Sequence, residues 1–168
     1  MKIAIYGLSC TGKTTIAAPL AKELGFDLRS CGEEIKKRAK ELDVKFDDLT
    51  DEIHHTIDNE TVKWFLSNVN CVVEGRFLDA VLSMSSDNIV LIKLTATVAE
   101  RCNRMKKRGN ADYTIDDLCR VDEIDKKFRH EHYRYNECIA PMLTIDTSIF
   151  SVEQCLNQIK TKLQELTA

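Results

Sequence analysis

The stretch IYGLSCTGKTTIA, residues 5–17, decides the fold of this chain. It contains the pattern G-x-x-x-x-G-K-[ST] as Gly7, Gly12, Lys13 and Thr14. The two glycines allow a tight loop whose backbone N–H groups converge on phosphate oxygens at a helix N-terminus, where the helix dipole also favours anions. The lysine brings positive charge to a phosphoryl group, and the threonine hydroxyl suits Mg²⁺. The stretch therefore predicts a loop that binds a nucleoside triphosphate, with ATP as the expected phosphoryl donor.

The flanking sequence alternates between short apolar runs and longer helical patterns. The predicted strands are residues 2–7, 26–30, 70–76, 88–94 and 141–146, and the predicted helices are residues 13–25, 32–43, 47–67, 97–108, 115–137 and 152–166. Such alternation is typical of a parallel sheet with helices on both faces. No linker, repeat or low-complexity segment interrupts it, so residues 1–168 are expected to form a single domain. We therefore predict an α/β P-loop NTPase fold with a five-stranded parallel sheet.

The composition is ordinary for a soluble globular enzyme. Of the 168 residues, 43% are hydrophobic and 30% are charged, and the formal net charge is -3 at pH 7. This charge gives no reason to expect non-specific nucleic-acid binding. No apolar run approaches the roughly 20 residues of a transmembrane helix, so we expect no membrane association and a cytoplasmic location. The 7 cysteines form no C-x-x-C pair, which argues against a disulfide framework or a zinc site.

An acidic residue and an arginine lie at the end of the third predicted strand. Glu74 ends the run CVVEG, at the position where phosphate-loop enzymes hold Mg²⁺ directly or through water. Together with Thr14 it forms the predicted metal site. Arg76 comes shortly after, and its planar guanidinium is suited to gripping a second phosphate group. These residues predict a second phosphate site beside the donor.

Arginines follow the fourth predicted strand, in the stretch ERCNRMKKRG at residues 100–109. Arg101, Arg104 and Arg108 are spaced by three and four, which puts them on one face of a helix. A charged helix face is usually a solvated surface. Phosphoryl transfer, however, depends mostly on positioning and on the neutralisation of developing charge, which arginines on a mobile segment can supply. The loop-forming residues 109–114, GNADYT, therefore predict a hinged lid.

Together these motifs resemble the nucleoside monophosphate kinase family, and within it most closely the short, archaeal-type cytidylate kinases. The resemblance covers most of the chain and rests on GLSCTGKTT (7–15), SCGEEIKKRAKE (30–41), VVEGR (72–76), IVLIKLTATVAERCNRMKKRG (89–109) and APMLTIDTSIFSVEQCLNQI (140–159). It implies a single P-loop kinase domain that uses ATP and Mg²⁺ and acts as a monomer on a nucleoside monophosphate, with CMP or dCMP as the expected acceptor. It also implies a helical acceptor-binding segment at about residues 31–67 and a short lid at about residues 104–116.

The resemblance implies roles for individual residues. The donor loop would comprise Gly7, Ser9, Cys10, Thr11, Gly12, Lys13, Thr14 and Thr15, with Arg104 binding the donor from the lid. The acceptor site would comprise Ser30, Gly32, Lys36, Arg38, Glu74, Gly75, Arg76, Asp125 and Arg129. The catalytic set would be Lys13, Arg76, Arg104 and Arg108, with Thr14 and Glu74 as metal ligands. The turn at residues 145–150 would hold the adenine of ATP.

The chain departs from the family pattern in the segments that read the acceptor. Lys36 stands where the family commonly has an arginine, and Arg38 is nearby, so either cation could neutralise the acceptor phosphate. Phe77 follows Arg76, where the bacterial form has an aspartate. The family signature R-D-x-x-D-S-x-R is replaced by RVDEIDKKFR at residues 120–129. Its related positions are Asp122, Asp125 and Arg129.

Two other functions remain open from the sequence. One is a kinase of the same fold that acts on another small metabolite, such as a modified nucleotide, a sugar acid or an antibiotic. An alcohol acceptor would require a carboxylate to orient the hydroxyl, and Asp27 is the first candidate. The D-x-D pair of shikimate-kinase-like proteins is absent there, which argues against an alcohol acceptor. The other function is a nucleotide-binding regulator with weak ATPase activity.

Overall fold

A computed structural model of the protein describes residues 1–45, 48–83, 88–133 and 139–167. Its strands are β1 (Lys2–Tyr6), β2 (Asp27–Ser30), β3 (Cys71–Gly75), β4 (Ile89–Thr95) and β5 (Leu143–Asp146). Its helices are α1 (Lys13–Leu24), α2 (Cys31–Glu41), α3 (Asp51–Ser67), α4 (Leu78–Val81), α5 (Val98–Lys107), α6 (Ile115–His132) and α7 (Val152–Thr167). Within the described ranges, none of the helices is both long and apolar enough to span a bilayer.

The strands pair in one parallel sheet with the order β2-β3-β1-β4-β5. This order puts β1 in the centre, and the phosphate loop emerges from its carboxyl end. The register sets Tyr6 of β1 beside Gly75 of β3, and Ser30 of β2 beside Glu74 of β3. Ligands of open α/β sheets bind at the carboxyl ends of the strands. The sheet thus brings the loop, the end of β3 and the start of α2 to one edge.

Successive residues of β1 face opposite sides of the sheet. Ile3 and Ile5 belong to a core that also contains residues of α1 and α7, whereas Ala4 and Tyr6 belong to a second core that contains Phe65 of α3. These residues of β1 are at most 5% exposed. Strands buried on both faces are typical of parallel sheets covered by helices. The predicted fold class is therefore confirmed.

The start of α3 differs from the sequence-based prediction. The helix begins at Asp51, because the Thr50 hydroxyl accepts a hydrogen bond from the Ile53 N–H and caps the first turn. The predicted first residue, Asp47, lies outside the described residues. The described helices of the predicted acceptor-binding segment are thus α2 and α3.

The end of α6 also differs from the prediction. The helix ends at His132, and the backbone of Tyr133 is extended. The prediction of a helix through residue 137 is therefore wrong at Tyr133, and residue 137 itself lies outside the described residues. Sequence patterns also give no sign of α4, whose single turn is too short to show a helical period.

Candidate active site

The phosphate loop depends on glycine at two positions. Gly12 lies directly before α1 with a φ of 88°, in the left-handed region that residues with side chains rarely adopt. Gly7 approaches β4 so closely that a Cβ atom on it would stand 2.2 Å from the carbonyl oxygen of Leu94. A side chain would strain the backbone at the first position and collide with β4 at the second. The two glycines of the motif are thus explained by backbone geometry.

The Lys13 side chain folds back over the loop. Its ammonium group donates hydrogen bonds to the carbonyl oxygens of Gly7, at 2.8 Å, and Leu8, at 2.9 Å. Burial lowers the pKa of Lys13 to about 8, although the Glu74 carboxylate acts in the opposite direction. Phosphate oxygens would be stronger partners for this ammonium group than neutral carbonyl oxygens are. The lysine is therefore held beside the place where the phosphates of a nucleotide would lie.

Thr14 and Glu74 meet between α1 and β3. The Thr14 hydroxyl donates to Glu74 Oε1 over 2.9 Å, and the Ser30 hydroxyl donates to the same oxygen. Glu74 is 3% exposed, so these hydroxyls satisfy a buried carboxylate. Mg²⁺ prefers oxygen ligands and is usually held by one or two carboxylates together with waters and substrate phosphates. The donor set therefore fits the predicted metal site, and Ser30 orients its carboxylate.

A cleft of about 500 Å³ lies beside these residues. We name it the acceptor cleft, after its predicted role. Its walls come from the phosphate loop, the first half of α2, the helix α3, the end of β3 and the segment between α5 and α6. The predicted site residues that line it are Ser9, Cys10, Gly12, Lys13, Thr14, Ser30, Gly32, Lys36, Glu74, Gly75, Arg76 and Arg108. The fold thus gathers most of the predicted site around one space.

A second cavity, of about 430 Å³, opens on the other side of the loop. Its lining includes Gly12, Thr15, Arg104, Arg108, Thr147 and Phe150. Arg104 donates to the hydroxyl of Thr147 over 2.8 Å and to the carbonyl oxygen of Thr147 over 2.7 Å. The predicted adenine turn at residues 145–150 therefore borders this cavity, which shares Gly12 and Arg108 with the acceptor cleft.

The predicted lid begins inside a helix, since α5 extends to Lys107 and residues 108–114 connect it to α6. Its arginines contact the phosphate loop. Arg104 donates to the Cys10 carbonyl oxygen over 3.1 Å, and the Arg108 guanidinium lies 3.7 Å from the Cys10 sulfur. The structure thus places both arginines at the loop, as the sequence analysis expects of residues that neutralise phosphate charge.

Arg76 and Asp125, both predicted to contact the acceptor, are bound to each other. Arg76 Nη1 donates to Asp125 Oδ1, and the same guanidinium lies 5.3 Å from the centre of the Phe77 ring. The Arg76 side chain is 25% exposed and lines the acceptor cleft, whereas that of Asp125 is 4% exposed. Asp125 is not among the described residues that line the cleft. In the structure Asp125 positions Arg76, and its assignment to the acceptor site stays a prediction.

Two other arginines predicted to bind the acceptor pair with carboxylates elsewhere. Arg129 donates to both carboxylate oxygens of Asp79, at 3.0 and 2.7 Å. Arg38 lies 3.4 Å from a carboxylate oxygen of Glu41 and 3.7 Å from one of Glu60. Neither arginine is among the described residues that line the acceptor cleft. In the structure Arg129 joins α6 to α4 and Arg38 joins α2 to α3, and their assignments to the acceptor site stay predictions.

Arg101 has a role that the helical spacing of the arginines does not reveal. Its side chain is 2% exposed and donates from Nε to the Ser9 carbonyl oxygen over 2.7 Å. Its two terminal nitrogens donate to the two carboxylate oxygens of Asp122, at 2.8 and 2.6 Å. Arg101 thus points into the interior and connects the phosphate loop to α6, whereas Arg104 and Arg108 reach the loop surface.

Arg101→Met is expected to lower the free energy of unfolding by about 3 kcal/mol, because it leaves Asp122 and the Ser9 carbonyl without their charged donor. Urea denaturation with linear extrapolation measures the change. The matched control is Arg120→Met, since Arg120 pairs with Asp117 on an exposed face of α6, where a salt bridge contributes about 1 kcal/mol or less. Equal losses for the two variants would contradict a structural role for Arg101.

The acceptor cleft is also lined by residues that the sequence patterns did not indicate. Among them are His54, Asp58, Phe77 and Tyr113. A weak signal existed, because the two polar residues of α3 are four positions apart and share a helix face. That spacing alone does not tell a cleft from a solvated surface, so only the packing of α3 identifies the face.

Known proteins are similar to this chain in sequence or in fold. The AAA domain family matches residues 3–131 of the chain. A cytidylate kinase of Thermoplasma acidophilum is 31% identical over 140 residues, which are 80% of this chain and 73% of that protein. A cytidylate kinase of Ignicoccus hospitalis is 26% identical over 96% of this chain and 98% of its own length.

Among solved structures, the shikimate kinase of Acinetobacter baumannii superposes with a TM-score of 0.66. The match covers 97% of this chain and 92% of that one, at 15% sequence identity. At such low identity, the likeness shows the fold alone. The likeness therefore does not identify the phosphate acceptor, which depends on the residues of the cleft and not on the fold.

Proposed function

Because this chain belongs to the AAA domain family and is a cytidylate kinase-like nucleoside monophosphate kinase, we propose that it transfers the γ-phosphoryl group of ATP to CMP or dCMP in the presence of Mg²⁺. The products are ADP and CDP or dCDP. Phosphoryl transfer to a nucleoside monophosphate follows from membership of the family. The choice of cytosine is supported by the relatives, which are cytidylate kinases.

The observation that carries the proposal is the pair of cavities that meet at the phosphate loop. Both are lined by Gly12 and Arg108, and the acceptor cleft also contains Lys13 and the Thr14–Glu74 pair. Two nucleotides bound in these cavities would bring their phosphates together at the loop. Holding two reactants in this way is the main source of catalysis in phosphoryl transfer.

On the donor side, we assign the phosphates of ATP to the loop at residues 7–15 and the adenine to the second cavity. Lys13 would exchange its carbonyl partners for phosphate oxygens. Arg104 and Arg108, which contact the loop from the lid, would neutralise the negative charge of the phosphates. Thr14 and Glu74 would hold Mg²⁺, which neutralises and orients phosphate oxygens when it is bound. The short distance between the two side chains supports this assignment.

On the acceptor side, we assign the phosphate to Arg76 and to the N-terminus of α2. Ser30 and Gly32 lie there, where the helix dipole favours an anion, and Lys36 lines the same cleft. A phosphate acceptor is already anionic at pH 7, so no side chain has to remove a proton from it. Arg76 would have to share its guanidinium between Asp125 and the ligand, which the several donors of arginine allow.

We also propose that residues 1–168 act as one domain and as a monomer in the cytoplasm. Residues of a single chain line both cavities, so the two substrates need no second copy. The cysteines of the described ranges are free thiols, as in a reducing compartment.

Turnover with cytosine monophosphates is the decisive measurement. With ATP and Mg²⁺, a coupled assay of ADP release is run on CMP, dCMP, UMP, AMP, GMP and dTMP. We expect CMP or dCMP to give the highest kcat/KM. Lys13→Ala prepared in parallel sets an upper limit on the rate of contaminating kinases, because its own turnover is expected to be about 10³-fold below that of the wild type.

A preference for another base would overturn the cytosine assignment and leave the family unchanged. Binding of ATP without stimulation by any monophosphate would overturn the proposed reaction as well. That result would favour a different small metabolite or a regulatory role.

A further inference from the structure

The helix α3 forms one wall of the acceptor cleft. His54 and Asp58 lie one turn apart on this helix, and both line the cleft. Other residues of α3 are buried in the protein interior: Ile57, Thr61 and Phe65 are at most 1% exposed. Packing therefore fixes the rotation of α3 and directs Asp58 to the ligand space.

Asp58 is held in position by its neighbours. Tyr133 Oη donates to Asp58 Oδ2 over 2.6 Å, and the Tyr133 ring lies 6.0 Å from the ring of Phe77. Against the effect of burial, the nearby Cys31 thiol acts with Tyr133 to lower the pKa of Asp58. An ionised carboxylate has about four lone-pair sites, so these contacts leave room for a further donor. Asp58 is thus a half-buried, oriented hydrogen-bond acceptor that faces the cleft.

We propose that Asp58 selects the acceptor nucleotide by accepting a hydrogen bond from the exocyclic amino group of its base, the N4 amino group of cytosine. This inference rests on the proposed function, in which Arg76 holds the acceptor phosphate. A nucleotide anchored there directs its base away from the loop, toward the wall that α3 forms. Phe77 and Ile35 also line the acceptor cleft and would supply apolar contacts for the faces of the base.

The chemistry of the carboxyl group favours cytosine over uracil and thymine. These bases carry a carbonyl oxygen where cytosine has its amino group, so two acceptors would oppose each other and stay unpaired. Burial raises the pKa of Asp58. Only the ionised carboxylate discriminates, because a protonated carboxyl group has both a donor and an acceptor and could also pair with O4 and N3–H of uracil. The Tyr133 hydroxyl and the Arg76 guanidinium lower the pKa of Asp58 against the effect of burial and so favour the ionised form.

The test compares CMP with UMP as acceptors of the wild type and of Asp58→Asn. Asparagine keeps the size of the side chain and replaces one acceptor with a donor, which suits the O4 of uracil. We expect the ratio of kcat/KM for CMP to kcat/KM for UMP to fall at least about tenfold, mainly through a higher KM for CMP. The KM for ATP should not change. An unchanged ratio overturns the inference.

Two further variants separate base selection from a structural effect. Glu60→Gln is the matched control, because Glu60 is on the same helix, pairs with Arg38 and is not among the described residues that line the cleft. It should keep the wild-type ratio. Tyr133→Phe removes the bond that positions Asp58 and should lower the ratio less than Asp58→Asn does. A fall of the ratio as large in Glu60→Gln as in Asp58→Asn overturns the inference.

The outcomes distinguish this inference from the proposed function. If the wild type prefers CMP and Asp58→Asn keeps its ratio, only the role of Asp58 fails. If the wild type prefers UMP or dTMP, both proposals fail. If it prefers AMP, the cytosine assignment fails and Asp58 is tested with AMP against IMP, which has a carbonyl oxygen in place of the amino group. A ratio unchanged by Asp58→Asn in that pair overturns its role.

Discussion

Lys13→Ala is expected to lower kcat by about 10³-fold, which is the size of effect seen when one preorganised charge-stabilising group is removed. The Lys13 ammonium group lies within 2.9 Å of two loop carbonyl oxygens, on the border of the acceptor cleft. Alanine would leave the loop backbone intact but would remove the positive charge from the point where the phosphates meet. The loss should therefore fall mainly on kcat.

The measurement is steady-state turnover of ATP with the preferred monophosphate, using protein free of contaminating kinases. Lys22→Ala is the control, since Lys22 lies exposed in the last turn of α1, and it should turn over at the wild-type rate. Activity of Lys13→Ala within tenfold of the wild type would mean that the loop does not act on the transferred phosphoryl group.

Removal of Arg76 is expected to raise the KM for the acceptor about 10²-fold, since a charge-assisted hydrogen-bonding pair contributes about 3 kcal/mol. Arg76→Gln alone would leave the buried carboxylate of Asp125 without its partner and destabilise the fold. The double variant Arg76→Gln with Asp125→Asn replaces the ion pair by two neutral amides, so its effect on the acceptor can be measured in a folded protein. The KM for ATP should change much less.

Arg38→Gln is the control for this experiment, because the sequence also offers Arg38, beside Lys36, as a cation for the acceptor phosphate. Arg38 pairs with Glu41 and Glu60 in the structure. The substitution Arg38→Gln should therefore leave the acceptor KM within about threefold of the wild-type value. Melting temperatures of all variants show whether each protein is folded. If Arg38→Gln raises the acceptor KM and the double variant does not, the acceptor phosphate is held by Arg38 and the assignment to Arg76 is wrong.

The fold was predictable because its signals are local. The strands β1, β3 and β4 are short, mostly apolar runs, and the motif from Gly7 to Thr14 requires a strand before it and a helix after it. The errors lie at helix ends, where a single cap decides the boundary. Thr50 begins α3 four residues later than its hydrophobic pattern indicates, and the extended backbone of Tyr133 ends α6 early.

The site was predictable only in part. The order of the elements already puts four predicted site residues at one edge of the parallel sheet, because they lie at or just after the carboxyl ends of its strands: Lys13, Thr14, Glu74 and Arg76. The other charged residues lie on helices, where the sequence gives the spacing along one helix but not the partner on the next. An arginine bound to a carboxylate and an arginine open to a ligand have the same local sequence.

The sequence by itself determined the phosphate loop and the parallel sheet. It also predicted Thr14 and Glu74 as metal ligands. Each of these follows from the order of residues along a strand and its loop. Only the tertiary structure decided how the remaining charges are used. It paired Arg101 with Asp122 in the interior, and it set Asp58 against the acceptor cleft. The physical reason is that hydrogen bonds and ion pairs act over about 3 Å, and such distances between helices exist only after the helices have packed.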